Sequence, residues 1–145
     1  MELVDFHIEH VGLAALPVIE RINETLFQEK RIINRLDRAD LTMLLAYIYD
    51  IPVGFKVGYG LDRKTFYSAK GGVLEPYRRH GIARLLLYEM MTRARLMGYR
   101  RFAFDTFPNR HAGMTILGLT EGFKVVQADF NTVYNDYRLR FEKRL

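Results

Sequence analysis

The segment from Arg78 to Ala83 has the residue types of a phosphate-binding loop. It reads Arg-Arg-His-Gly-Ile-Ala and lies between an apolar run and an amphipathic helical pattern that begins near Ile82. The first backbone N–H groups of a helix have no partner within that helix, and a Gly there places no Cβ in front of them. The helix dipole and the neighbouring Arg and His side chains add positive charge. The sequence therefore predicts that this segment binds a phosphate group.

The pattern of apolar residues around this segment predicts one α/β domain over residues 1–145. In chain order we expect a strand at 3–8, a helix at 17–30, a polar loop or short helix at 31–40, strands at 41–49, 53–59 and 66–74, a helix at 82–98, a strand at 101–106, a helix at 109–119, and strands at 123–128 and 133–141. The strands at 41–49 and 53–59 should form a hairpin, because Asp50-Ile51-Pro52 is a turn signal.

Two of these elements have particularly regular patterns. Residues 53–59 alternate apolar and small or polar side chains, which predicts a half-buried strand. The helix that follows the phosphate-binding segment should end at Gly98. Its expected buried stripe is Ile82, Leu86, Met90, Ala94 and Met97.

Composition excludes several kinds of protein. The chain has no Cys, so we expect no disulfide, no thiolate metal site and no cysteine nucleophile. It has no apolar run long enough for a membrane span and no signal-peptide pattern at residues 1–5, so we expect a cytoplasmic protein without a membrane partner. The net charge is +5, but the basic residues stand in small dispersed groups, so we do not expect nucleic acid as a partner.

The order β-α-β-β-β-α-β-α-β-β resembles that of the GNAT superfamily of acetyl-CoA-dependent N-acyltransferases. The resemblance covers nearly the whole chain and is most specific over 73–87 and 109–123. The first of these ranges contains the loop pattern R/Q-x-x-G-x-G/A, read here as Arg78, Gly81 and Ala83. The second ends in Gly122-Phe123, which is similar to the family's closing motif.

The resemblance implies a mixed, mainly antiparallel sheet flanked by helices. It also implies an N-acetyltransferase that moves the acetyl group of acetyl-CoA directly to a primary amine of a small molecule or peptide, without a metal. The loop would hold the pyrophosphate of the cofactor, and backbone groups at the end of the preceding strand would hold its pantetheine arm. The residues implied in cofactor binding are Val73, Leu74, Arg78, Arg79, His80, Gly81, Ile82, Ala83, Arg84, Asn109 and His111.

This sequence departs from the family pattern at three places. Glu75-Pro76 stands where the family usually has Pro followed by an acidic residue. The segment that contains Asn109 and His111 is about two residues longer than usual, so either residue could contact the cofactor, and Asn109 could instead cap its helix. Gly118 stands where many members carry the Tyr that protonates the departing thiolate.

No general base can be assigned, and the general acid must come from elsewhere. Tyr134 is our candidate acid, with Tyr137 or water as alternatives, because a terminal hairpin can fold back over the cleft. Asp105, near the end of its strand, is a candidate for acceptor binding or else a turn or capping carboxylate. Phe27 is a candidate for the acceptor pocket or else a core residue.

Two alternatives to an enzyme of this kind remain at this point. A protein of this fold could bind acyl-CoA as a regulatory module with little catalysis, and Gly118 favours that hypothesis. A basic nucleic-acid-binding domain would instead show salt-sensitive binding and no affinity for acetyl-CoA. In either case the strand at 133–141 could lie at a sheet edge and pair with a second copy in a homodimer.

Overall fold

A computed structural model describes residues 5–145 as seven strands and three helices in the predicted order. The elements are β1 (Phe6–Val11), α1 (Leu16–Phe27), β2 (Thr42–Ile48), β3 (Ile51–Gly60), β4 (Thr65–Val73), α2 (Ile82–Leu96), β5 (Arg101–Thr106), α3 (Ala112–Thr120), β6 (Lys124–Asn131) and β7 (Asp136–Arg144). Single 3-10 turns precede α1 and α2. The first strand was expected at 3–8; it begins at Phe6, and positions 3 and 4 lie outside the described residues.

The strands form one mixed sheet in the order β1-β2-β3-β4-β5-β7-β6. The β4–β5 pair is parallel, and the five other neighbouring pairs are antiparallel. This confirms the predicted sheet but corrects the position of the last strand. An edge was one of two positions considered for the strand at 133–141, whereas β7 lies between β5 and β6. Its Phe141 is fully buried and stacks on Phe104 of β5. The edge strand is β6, whose side chains are almost all exposed.

The two faces of the sheet pack against different helices. One face packs on α2 and α3 through Phe66, Phe102, Phe104 and Phe141 among other apolar side chains. The opposite face of β2 and β3 packs on α1, where Ile19 and Ile22 are buried as the pattern predicted.

β3 is buried on both faces, which corrects the prediction of a half-buried strand. An irregularity in its pairing with β2 leaves Val53 without a partner, because Ala46 faces Gly54 and Tyr47 faces Pro52. Val53 therefore packs on the α2 side, while Phe55 packs on the α1 side. The residues between the apolar ones are also covered by a helix, and Lys56 is only 6% exposed.

Three other element boundaries differ from the expected ones. The first helix ends at Phe27 because Gln28 adopts a left-handed conformation with φ of 55°, and residues 31–40 form no helix. The third helix begins at Ala112 rather than 109, because a turn accepts N–H bonds from residues 110 and 111 at the carbonyl of Phe107. The second helix ends at Leu96, and the side chain expected at the end of its buried stripe, Met97, is exposed.

Candidate active site

A cleft opens where β4 and β5 separate. The two strands pair over four residues each, from Thr65 opposite Arg101 to Ser68 opposite Phe104. Beyond that point residues 69–73 of β4 have no partner on β5, which continues to pair with β7. We call the space between the two strands beyond Ser68 the cleft. It lies at the carboxyl ends of both strands, beside the amino terminus of α2.

Backbone N–H and C=O groups at the end of β4 point alternately toward β3 and toward the cleft. The N–H of Leu74 donates to the carbonyl oxygen of Val53 on β3, 2.8 Å away. Because backbone groups alternate in direction along a strand, those of Val73 and Gly71 point toward the cleft. The Nε of Arg78 donates to the Val73 carbonyl at 2.9 Å. Of the two residues predicted to bond a pantetheine arm, Val73 therefore directs its backbone into the cleft, and the N–H of Leu74 is used by β3.

The loop before α2 has the geometry that phosphate binding needs. Gly81 is the N-cap with φ of 79°, no side chain of the described residues caps the helix, and the first helical bond runs from the N–H of Leu85 to the Gly81 carbonyl. A Cβ built at Gly81 would have no described atom of another segment within 4 Å, so the space beside Gly81 is open. Arg79 also has a positive φ, 70°. The N–H groups of this turn are therefore free to hold an anion.

The other predicted members of this loop differ in what they offer. Arg79, His80 and Ala83 are exposed at the mouth of the helix. Ile82 is 1% exposed, so its side chain belongs to the core and only its N–H faces the loop. The side chain of Arg84 forms an ion pair with Glu121 at 2.9 Å.

Phe27, Lys70 and His111 form an aromatic and cationic wall at the open side of the cleft. The ring of Phe27 meets the ring of His111 edge to face, with centroids 6.0 Å apart. The Nζ of Lys70 lies 4.7 Å from the Phe27 centroid. Burial lowers the pKa of His111, and the charge of Arg110 lowers it further. The wall connects the end of α1 with the unpaired part of β4 and the start of α3, so Phe27 borders the cleft as the acceptor-pocket prediction requires.

Asn109 is held by Asp136 at the start of β7. Its backbone N–H donates to one carboxylate oxygen at 2.9 Å, and its side-chain Nδ2 donates to the other at 2.7 Å. The N-cap of α3 is His111, so the interpretation of Asn109 as a helix cap is wrong. Its bonds to Asp136 tie the turn after β5 to the β6–β7 hairpin.

Tyr134, the candidate acid, lies in that hairpin turn and folds back over the end of β5. Its ring packs on Phe107 with centroids 4.7 Å apart, and the guanidinium of Arg110 lies 4.9 Å from the Tyr134 centroid. The Tyr134 ring is 42% exposed. The residue is therefore adjacent to the end of β5, where the cleft opens.

The position of Gly118 has no room for a side chain. A Cβ there would lie 2.8 Å from Cζ of Phe104 and 3.3 Å from the ring of Phe141. These two rings stack with centroids 5.2 Å apart and fill the space under α3. The rings of Phe104 on β5 and Phe141 on β7 thus fill the space next to Gly118 where a side chain would begin.

Asp105 belongs to a charged network at the base of the cleft. It receives two bonds from Arg140, from Nε at 2.7 Å and Nη2 at 3.0 Å, and one from the hydroxyl of Tyr67 at 2.8 Å. Arg138 lies 3.6 Å away. Burial and the Asp105 charge raise the pKa of Tyr67 well above its usual range. Asp105 is neither a turn nor a capping residue, because it lies within β5 opposite Arg140.

Sequence reasoning did not identify Tyr67, Arg138 or Arg140 as members of this network. Their types are common in exposed strands, and nothing in their spacing along the chain connects them with Asp105. The alternation of Arg138 and Arg140 with apolar residues does place both on one face of a strand. Knowing that β7 pairs with β5 would have been needed to bring them to Asp105.

In residues 5–145, no three or more His, Cys, Asp or Glu side chains are grouped so that they could hold a metal ion. No helix in the same range is long and apolar enough to cross a membrane.

Comparison with known proteins defines the family. The model of the acetyltransferase (GNAT) domain matches residues 20–112, so this chain belongs to the GNAT acetyltransferase family. The match includes α2 with its loop, the unpaired part of β4 and all of β5. No curated protein sequence matches the chain.

Solved structures with the same fold cover nearly all of the chain. Ard1 from Thermoplasma volcanium superposes with a TM-score of 0.82 at 15% identity, over 98% of this chain and 99% of that one. Arabidopsis thaliana Naa50, solved with the bisubstrate analogue CoA-Ac-MVNAL, gives 0.80 at 22% identity, over 98% and 100%. IAA acetyltransferase from Bacillus cereus ATCC 14579 gives 0.83 at 19% identity, over 97% and 100%. At these identities the likeness concerns the fold.

Proposed function

We propose that this protein is an N-acetyltransferase that moves the acetyl group of acetyl-CoA to a primary amine. The observation that carries the proposal is the open, uncapped helix terminus at Gly81 beside the separation of β4 from β5. A phosphate site and an extended slot with free backbone groups are what a cofactor with a pyrophosphate and a long amide-containing arm requires.

The loop and the cleft would divide the cofactor between them. The N–H groups from Gly81 to Arg84 would hold the pyrophosphate, with Arg79 and His80 adding positive charge at the same mouth. The backbone of Gly71 and Val73 would bond the arm along β4. The thioester would then lie toward Ser68, where the strands meet and where the acceptor can reach it past Phe27 and His111.

The reaction is a direct transfer. The neutral amine attacks the thioester carbonyl, a C–N bond forms, and the attacking nitrogen loses one proton to water. The C–S bond breaks, and coenzyme A leaves as a thiolate that must gain a proton. We assign that proton to Tyr134, because its turn folds over the end of β5. Since Asp105 is already bonded to Arg140 and Tyr67, its role in this proposal is to position the base of the cleft.

The acceptor class we favour is a peptide with a free amino terminus. Naa50 was solved with an analogue that joins coenzyme A through an acetyl group to a peptide, and its fold matches this chain over almost its entire length. The wall formed by Phe27, Lys70 and His111 offers apolar and polar groups beside the cleft for the first residues of such a peptide.

A regulatory acyl-CoA-binding module is the second candidate. It is favoured by Gly118, because the filled space beneath α3 excludes the usual acid at that position. Such a module would bind acetyl-CoA but would release no thiol with any amine. A panel of peptides with free amino termini and of small primary amines, assayed for thiol release, distinguishes the two functions.

The cofactor site is tested by a matched pair of glycine substitutions. Gly81→Glu introduces bulk and negative charge at the proposed pyrophosphate position. Gly98→Glu is the control, since Gly98 also has a positive φ, 98°, and open space around its Cβ, but lies at the other end of α2. Isothermal titration should show loss of acetyl-CoA binding for Gly81→Glu and near-parental affinity for Gly98→Glu. Equal affinities in the two folded variants would refute the phosphate-site assignment.

A further inference from the structure

A second concave site lies at the opposite end of β4 and β5 from the cleft. It is a pocket of about 450 Å³ formed by the beginnings of β4, β5 and β6 and the end of β7. Its lining residues are Lys64, Arg100, Arg101, Lys124, Val126, Glu142, Lys143 and Arg144. We call it the basic pocket, because six of its eight residues are cationic and one is a carboxylate.

The cations of the basic pocket form no ion pair within residues 5–145, although Asp62 lies near Lys64 and Arg101 at longer range. Within residues 5–145 no carboxylate lies within 4.0 Å of the charged groups of Lys64, Arg100, Arg101, Lys124 or Arg144. Lys143 donates to a backbone carbonyl, that of Glu121. Elsewhere many arginines do have acidic partners, among them Arg84 and Arg140. The pocket therefore presents mainly positive charge to solvent.

The pocket also accounts for the net charge of the molecule. Six cations and one carboxylate leave five positive charges, which equals the formal net charge of the whole chain. The rest of the chain therefore carries equal numbers of acidic and basic residues. The basic groups that are dispersed along the sequence become one surface feature because β5 and β7 pair there.

Sheet pairing holds like charges together in this pocket. Arg101 of β5 lies directly opposite Arg144 of β7, and the backbone N–H groups of Arg100 and Arg101 both donate to the carbonyl of Lys64. Like charges opposite one another destabilise a strand pair. A local conflict of this kind, in which neither cation has an ion-pair partner among residues 5–145, is typical of a functional site.

We propose that the basic pocket binds the phosphate backbone of duplex nucleic acid without reading its sequence. The cations come from four neighbouring strands, which at about 4.8 Å per strand span roughly 14 Å. Along a duplex that length covers about four phosphates of one strand. The pocket's lining has no aromatic ring, and single-stranded nucleic acid is held largely by base stacking on aromatic residues. Duplex RNA and duplex DNA offer the same phosphate chemistry.

The test measures the binding of fluorescein-labelled RNA and DNA duplexes of about 20 base pairs. Binding is measured by fluorescence anisotropy at salt concentrations between about 50 and 200 mM. The variant Arg100→Gln/Arg144→Gln removes two cations whose strand contacts use only backbone atoms. We expect it to bind roughly 30-fold more weakly at about 150 mM salt and to lower the slope of log K against log salt by about 2, because two fewer phosphates are neutralised. The control is Arg21→Gln/Lys30→Gln, which removes two exposed cations at α1. It should bind like the parent.

Each other outcome decides against the proposal. Equal weakening in the pocket and control variants would mean a response to net charge alone, and no binding by the parent would exclude a duplex partner. Binding of anionic vesicles or an acidic peptide that depends on the pocket, with no binding of either duplex, would assign the pocket to that partner instead. Comparison of the RNA and DNA arms shows which source of phosphate is preferred. None of these readouts depends on acetyl transfer, so the result is independent of the proposed function.

Discussion

The hydroxyl of Tyr67 on β4 donates a hydrogen bond to the carboxylate of Asp105 on β5, 2.8 Å away, at the point where the two strands separate. The next residue along β4, Ser68, is the last one that pairs with β5. Arg140 holds the same carboxylate from β7. The bonds of Tyr67 and Arg140 to Asp105 therefore join three adjacent strands at the base of the cleft.

Tyr67→Phe should weaken the connection between β4 and β5 at Asp105. Removing the Tyr67 hydroxyl takes a hydrogen bond from the Asp105 carboxylate, which is only 9% exposed. The free energy of unfolding should therefore fall by about 1–2 kcal/mol. Tyr59→Phe is a matched control, because Tyr59 packs edge to face on Tyr67 and its hydroxyl has no protein partner in residues 5–145. Urea unfolding of the two variants measures the difference. Equal losses would show that the Tyr67–Asp105 bond contributes nothing specific.

Gly118→Ala should destabilise the protein by about 1–3 kcal/mol, because its Cβ would press on the ring of Phe104. Gly113→Ala lies in the same helix, with no described atom within 4 Å of the added Cβ, and should gain about 0.4–1 kcal/mol. Thermal unfolding of both variants shows whether each substitution stabilises or destabilises the protein. A neutral or stabilising Gly118→Ala would show that the rings beneath α3 move aside easily.

Lys56→Met should stabilise the protein most at neutral pH. Burial lowers the pKa of Lys56 from 10.5 to about 8, so the unfolded chain binds more protons than the folded one between these values, and stability rises with pH there. The folded protein bears the full cost below pH 8, about 3 kcal/mol for a shift of this size. Met fills the same apolar space without a charge.

The measurement is the difference in unfolding free energy between Lys56→Met and the parent, taken from pH 7 to pH 11. This difference should be largest at pH 7 and should shrink as the pH rises from 8 through 10.5. Lys30→Met, at an exposed position, should show no such trend. A constant difference across this range would contradict the lowered pKa of Lys56 in the folded protein.

Tyr134→Phe should reduce turnover by roughly 10²-fold if Tyr134 protonates the thiolate. The loss should fall on turnover and leave acetyl-CoA affinity near that of the parent. Tyr137→Phe, whose ring packs on Phe130 of the edge strand, should keep the parental rate. An unchanged rate in Tyr134→Phe would leave water as the proton source.

The order of elements and the uncapped turn before α2 could be predicted from local patterns. A stripe such as Ile82, Leu86 and Met90 repeats every three or four residues, and a Gly at a helix mouth permits the positive φ that Gly81 adopts. The boundaries were less predictable, because they depend on single conformations. The positive φ of Gln28 ends α1 three residues early, and no residue type there indicates it.

The network at the base of the cleft depends on long-range pairing that a sequence does not display. Asp105 meets Arg140 because β7 inserts between β5 and β6, and Tyr67 meets both because β4 and β5 run parallel for four residues. The burial of Lys56 likewise follows from two helices that cover opposite faces of β3. The same long-range pairing brings the cations of the basic pocket together.

The brief pairing of β4 with β5 divides the sheet into two halves that meet along a seam of four residue pairs. Strands β1 to β4 form one half, and β5, β7 and β6 form the other. The amide protons along this seam should exchange with solvent faster than those inside either half, since fewer neighbours protect them. A ligand bound in the cleft would contact both halves, link them and slow this exchange. The amide exchange rates of residues 65–68 and 101–104 would then report the fraction of the protein that has cofactor bound.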